Sequence, residues 1–469
     1  MYMNVGVPVL GMPAPDLVDS PYGRAAGKHG GLYPVNVLAL AFHQLFGNVA
    51  AEGHGDQEIN DGGHNLKIAY ICDFFHPYAG YQTNIISKYW TKFGHEVYVI
   101  TSEMSKMPRS LVKFFGIDEI EVKDRWFREK YGVEVIRIPL IAYLSGRSIY
   151  KSNIYKVLER IDPDVVFVNG NDSLIAIQLI KNYSKFKFGL VTDSHMLEMA
   201  SKNCFNKIFR MYYRHFITPK ILKYNIPVIR TQDDNYVDEC LGIPIEKCPW
   251  ISFGTDMMLF KPNKNVKEKF RKEHNMDDKT FIVLYAGKII ESKGANILAK
   301  AMQKVIATKR EVVFLIVGTT EGEYGAYIEN EFMKSKYRII RLHTQKYFEL
   351  PTVYQSADIA IYPKQCSMSF FDVQACGLPV IFEDNNINIA RSRYQNAMTY
   401  KTGDIKDFCD KIALFANMSK KEYEKYSMNA IKLIKCEYDY AIKAKEYIPY
   451  LELQAKVKGK IKGEIYNND

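Results

Sequence analysis

Cysteine pairs, long apolar runs and an acidic surplus are all missing from this 469-residue chain. None of the eight cysteines forms a C-x-x-C pair or lies near a histidine at metal-ligand spacing. A disulfide framework and a structural zinc site are therefore excluded, and a reducing cytoplasm is the expected compartment. The longest apolar stretch, residues 32–46, is broken by Pro34, Asn36, His43 and Gln44, and a spanning helix needs about 20 apolar residues. Arg24 and Lys28 ahead of it and Ala50-Ala51 behind give a faint likeness to a secretory signal, but the basic residues are sparse and the apolar core is interrupted. What is present is an ordinary globular balance, 47% apolar and 25% charged, with a formal charge of +10. That charge favours anionic partners such as nucleotide phosphates, acidic lipid headgroups or nucleic acid.

Organisation is uneven along the chain. The first 65 residues hold eleven of the 29 glycines and a single lysine. They read as a disordered Gly-rich extension. Residues 66–72 then form a buried-strand run, 73–81 a loop with Pro77 and Gly80, and 82–93 a helical pattern stopped by Gly94. Strand character returns at 96–101, which makes a βαβ crossover and hence a parallel sheet. Further strands are expected at 165–168 and 189–192, so 66–250 reads as one doubly wound α/β domain. A second begins at 280–286 and continues through strands near 312–317, 339–340, 359–362 and 379–382. The fold class is therefore α/β, with two Rossmann-like doubly wound parallel sheets, 66–250 and 251–430, facing a cleft. Residues 431–469 supply a C-terminal helix expected to pack back towards the first domain, then a basic tail, 456–462, expected to be solvated.

Chemistry concentrates at strand carboxyl ends. The phrase from Gly287 to Gly294 follows a strand and precedes a helix, placing Lys288 and Lys293 on flexible backbone suited to phosphate. A second candidate is the stretch 367–379, where Ser369 and Asp372 have capping-box spacing at a helix start. The same helix start could hold a diphosphate, with Asp372 accepting a hydrogen bond from ribose.

These phrases, with Gly80 in the first loop, Gly94-His95-Glu96-Val97, Phe253-Gly254-Thr255-Asp256 with Phe260 and Pro262, and Ala375-Cys376-Gly377-Leu378-Pro379, resemble the nucleotide-sugar glycosyltransferases of GT-B architecture, in particular the retaining family 4. The resemblance covers about residues 66–450. It implies that Lys288 and Lys293 hold the donor diphosphate, that Asp372 stands at the ribose-binding carboxylate, and that no metal or other cofactor is required. It departs at Lys364, where the family carries a first glutamate, and in the shorter loop containing Ser367 and Ser369. Both serines are then expected to bind phosphate beside Gly80 and Gly287. The resemblance also implies a catalytic role for His195, at the end of a strand, alongside Lys288 and Lys293. His76, Tyr81, Gln82 and Asp193 are the expected acceptor contacts.

Two lookalikes carry less. Asp162-Pro163-Asp164 imitates a D-x-D metal site but enters a buried strand, so it reads as a turn, and residues 322–325 read as a solvent loop. Residues 202–223 interleave six cations with aromatic and aliphatic side chains. That pattern suits an interfacial membrane helix and a domain-packing helix with a polar outer face. No such stretch lies in a nucleic-acid motif, so nucleic acid is not an expected partner. The expected activity is transfer of a hexose or N-acetylhexosamine from a UDP- or GDP-linked donor to a glycan or lipid-linked hydroxyl, with retention, in the cytoplasm or at the inner face of a membrane. The alternatives are a catalytically silent nucleotide-sugar or membrane-surface binding protein and a nucleotide-sugar epimerase.

Overall fold

The computed structural model describes residues 64–144, 147–151, 153–195, 206–232, 235–364 and 368–462. The glycine-rich extension and Ser367 lie outside them.

In the first lobe the strands are β1 (Lys67–Cys72), β2 (Glu96–Ser102), β3 (Glu134–Ile138), β4 (Leu140–Leu144), β5 (Arg147–Tyr150), β6 (Val165–Val168), β7 (Gly189–Ser194) and β8 (Val228–Arg230). Six of them form a sheet in the order β3-β2-β1-β6-β7-β8, every neighbouring pair parallel. The second lobe holds β9 (Phe281–Ala286), β10 (Val312–Val317), β11 (Arg338–Leu342), β12 (Ile359–Tyr362), β13 (Val380–Glu383) and β14 (Ala397–Tyr400). Their order is β11-β10-β9-β12-β13-β14, again all parallel. Both sheets repeat the doubly wound order 3-2-1-4-5-6. Each therefore reverses direction once, between β1 and β6 and between β9 and β12. Their central strands are apolar on both faces because helices cover both sides.

The antiparallel hairpin β4–β5 is an insertion that the strand pattern did not announce. Residues 322–325, expected as a loop, open a helix, Gly322–Met333. The helix that follows β1, α1 (Gln82–Lys92), starts at Tyr81, whose N–H donates to Asn84 Oδ1 at 3.0 Å.

The chain enters the second lobe through residues 250–256 and returns through 434–440. These crossings lie side by side: Thr255 N donates to Tyr438 O at 2.8 Å and Tyr440 N to Thr255 O at 2.9 Å. Gly254 is required there, since a Cβ on it would stand 2.3 Å from Tyr438 O. The second lobe includes the helix α2 (Ser369–Ala375), and the returning chain becomes α3 (Tyr440–Val457). Tyr440, Ala444, Tyr447, Leu451 and Ala455 of α3 join the first lobe's core with Tyr70, Trp90 and Phe167. Trp90 Nε1 donates to Ala444 O at 3.0 Å, and Gly189 leaves room for the Gln454 backbone. The tail is not simply solvated. Lys458 Nζ donates to the carbonyls of Tyr183 and Phe186, both at 2.9 Å, and Lys460 pairs with Asp162 at 2.7 Å.

Candidate functional site

In an open doubly wound sheet, ligands bind beyond the strand carboxyl ends where the strand order reverses. In the second lobe that place lies between β9 and β12. The loop after β9 carries Gly287, Lys288 and Lys293, closed by Gly294 at φ +78°. A Cβ on Gly294 would stand 3.0 Å from the Cβ atoms of Pro363 and Lys364, just after β12. Gly318, after β10, is equally confined, with Gly287 O 2.2 Å from its would-be Cβ. Close backbone approach thus brings the lysine loop against the turn leading to α2. Lys288 and Lys293 are both half-buried there.

Ser369 and Asp372 do not form the expected capping box. Helix α2 opens at Ser369 itself, with Met368 already in helical backbone. The Ser369 hydroxyl meets Tyr362 OH at 2.9 Å, and the Asp372 carboxylate accepts from the Thr255 hydroxyl in the crossing segment. Burial pushes the Asp372 carboxyl up to about 7 against the Thr255 hydrogen bond, with Asp256 adding to the rise. Asp256 is buried too, ion-paired with Lys88 of α1 and accepting from Tyr89 OH at 3.0 Å.

The first lobe's reversal lies between β1 and β6. His195, just beyond β7, has both ring nitrogens engaged. Its Nε2 is 2.9 Å from Asp193 Oδ2 and 2.7 Å from Asn169 Nδ2, and its Nδ1 is 2.8 Å from the Thr231 hydroxyl. Its ring stacks on Phe253, centroids 5.2 Å apart. Asp193, expected at the acceptor, is completely buried and accepts from Gly170 N at 2.7 Å. It sits behind His195 and orients it. Gln82, also expected at the acceptor, is buried and donates to Tyr447 OH of α3 at 2.8 Å. His76 is buried against Phe115, with Nδ1 accepting from Tyr78 N at 3.2 Å and Nε2 unpartnered. Burial, with Lys123, Arg137 and Lys346 nearby, pushes the His76 ring down to about 3. The Tyr81 ring packs edge-on to Phe74, centroids 5.8 Å apart.

Gly80, at φ +65°, faces the second lobe: a Cβ there would fall 2.1 Å from the Tyr347 ring. Tyr347 had no sequence signal. Nor did Arg147, which the hairpin carries over the first lobe's reversal point. Its guanidinium pairs with Asp73, at 3.4 Å, and with Asp172. Asp73 was visible in the sequence as the residue after the first strand, whereas its partner depended on a hairpin that was not. Among the described residues no group of three His, Cys, Asp or Glu side chains is placed to hold a metal ion, and no helix is long and apolar enough to cross a membrane.

Comparison with known proteins bears on the lobe that carries the lysine loop. The family described as Glycosyl transferases group 1 matches residues 266–433. Within the second lobe, this chain is thus similar to that family. The matched segment runs from the helix before β9 to the end of the helix Lys420–Leu433. A D-inositol 3-phosphate glycosyltransferase of Segniliparus rotundus is 31% identical over 136 residues, which is 27% of this chain and 30% of that protein. A GDP-mannose-dependent mannosyltransferase of Corynebacterium glutamicum, which acts on a monoacylated phosphatidylinositol monomannoside, is 27% identical over 139 residues, 27% of this chain and 36% of its own. The chain spans about a third of the length of these curated relatives. Whole-chain likeness is at the level of fold. A glycosyltransferase of Rickettsia africae superposes with TM-score 0.63 at 15% identity, covering 84% of this chain and 99% of that one. Anabaena HepE in complex with UDP-glucose gives 0.58 at 14% identity, covering 82% and 99%. The two lobes together thus have GT-B architecture.

Proposed function

We propose that this chain is a glycosyltransferase that moves a hexosyl or N-acetylhexosaminyl group from a nucleoside diphosphate sugar to a hydroxyl of a glycan or lipid-linked acceptor, with retention. The observation that carries the reading is the group 1 match over the lobe whose reversal point holds Lys288, Lys293 and Asp372. The two ammonium groups offset charge developing on the leaving diphosphate, a preorganised electrostatic contribution made without a metal. Asp372 accepts a ribose hydroxyl. The acceptor lies over the first lobe, where Asp193 and Thr231 hold His195 in one orientation.

The test is incubation with UDP- and GDP-sugars, with and without glycan and lipid acceptors, reading nucleotide release. Lys293→Ala is expected to weaken donor binding about tenfold or more, as loss of a charged hydrogen bond does. Unchanged donor affinity would remove Lys293 from the site. A second reading, a silent nucleotide-sugar binding protein, is favoured by Lys364 at the place of the missing glutamate. Tight donor binding with no release to any acceptor would select it.

A further inference from the structure

Residues 206–223 form one nearly continuous helical segment: an α-helix over Asn206–Tyr212, a π turn over Tyr213–Ile217 and an α-helix over Thr218–Lys223. One side of it is core, since Tyr213, Ile217 and Ile221 are buried among the first lobe's apolar residues. The opposite side carries apolar side chains that no described residue covers: Ile208 is 63% exposed, Met211 59% and Phe216 60%. In an unbroken α-helix the side chain in line with Ile208 and Met211 would be residue 215. The π turn adds one residue, which moves Phe216 into that line. The exposed stripe is thus a product of the helix's own irregularity.

The charge around the stripe is of one sign. No carboxylate occurs anywhere in 206–223. Arg214 turns to the carbonyls of Glu239 and Cys240, and Arg210 lies over the Tyr236 ring, so these two face the neighbouring 236–240 turn with its Asp238 and Glu239. Lys207, Lys220 and Lys223 make no ion pair with any described carboxylate, and Lys223 lies over the Tyr224 ring, 5.3 Å from its centroid. Two or three inserted apolar side chains flanked by ammonium groups without a carboxylate partner match a surface that is hydrocarbon beneath and anionic above.

We propose that this segment docks the first lobe on an anionic lipid bilayer, with Ile208, Met211 and Phe216 entering the headgroup boundary and Lys207, Lys220 and Lys223 meeting lipid phosphates. The attraction is partly electrostatic and weakens with salt. It does not depend on the activity proposed above.

The test is sedimentation of the full chain with sucrose-loaded vesicles of phosphatidylcholine, alone or with about a third phosphatidylglycerol. Binding is expected to the anionic vesicles, to fall as salt is raised to about 0.5 M, and to drop about fivefold for each of Lys207→Glu, Lys220→Glu and Lys223→Glu. Met211→Ser with Phe216→Ser is expected to lower binding by about tenfold. Circular dichroism and the thermal midpoint should be unchanged, because these side chains touch water. No sedimentation with anionic vesicles, equal sedimentation with neutral ones, or indifference to both sets of substitutions would overturn the proposal. So would lipid-free dimerisation that Phe216→Ser abolishes, since a second copy of the chain would then cover the stripe.

Discussion

Burial and a hydrogen bond pull the Asp372 carboxyl in opposite directions, and burial prevails, leaving it at about 7. The folded protein therefore holds this proton more tightly than the unfolded chain, whose aspartate titrates near 4. Asp372 contributes stability below about pH 4, and that contribution is lost as pH rises through about 7. Urea titrations across this window should show a downward slope of unfolding free energy that Asp372→Asn flattens; equal slopes would refute the assignment. Gly80 makes a different demand, on space. Alanine there meets a left-handed backbone, costing about 1–2 kcal/mol, and the Tyr347 ring, where overpacking adds about 1–3 kcal/mol. Thermal midpoints of Gly80→Ala, Tyr347→Ala and the double variant should be non-additive, the double variant recovering the overpacking loss. Simple addition would mean the ring moves aside freely.

At the scale of elements, a buried ion network fixes the first helix of the second lobe to its sheet. Arg271, on Lys264–Glu273, donates to Asp358 at 2.9 Å, and the same carboxylate oxygen accepts from Ile282 N of β9 at 2.7 Å. Asp358→Ala would leave a buried guanidinium unpaired and is expected to cost about 3–5 kcal/mol, readable as a lower urea midpoint with activity per folded molecule retained. Elements of this lobe were legible in sequence because β9, β10, β12 and β13 are buried on both faces and read as unbroken apolar runs. β8 has only three residues, after Pro227, and β4 mixes exposed and buried positions, so neither offers a period to detect. The lysine loop was legible from its glycines and its place after a strand. Asp372's partner was not, since Thr255 lies 117 residues away and no local pattern encodes that distance. The same holds for Gln82, whose polar side chain read as cleft-facing but serves Tyr447, 365 residues on.

For the whole molecule, the decisive contact is that of α3 with the first lobe. Tyr440, Tyr447 and Leu451 are almost wholly removed from water there, and burial of each large side chain contributes about 1.5–3 kcal/mol. Together these approach the total margin of a typical domain, about 5–15 kcal/mol. A chain ending at residue 439 is expected to lose the cooperative unfolding of the first lobe and to bind hydrophobic dye. Supplying 440–462 as a separate peptide should restore the transition in part; a first lobe that unfolds normally without it would contradict this account. The paired crossings at Thr255 and Asp439 carry one more consequence, in time rather than space. The first lobe cannot close its core until α3, which is made after the whole second lobe, has left the ribosome. The second lobe, whose six strands follow one another without interruption from β9 to β14, is free to fold earlier. Synthesis from the N-terminus therefore completes the second lobe before the first.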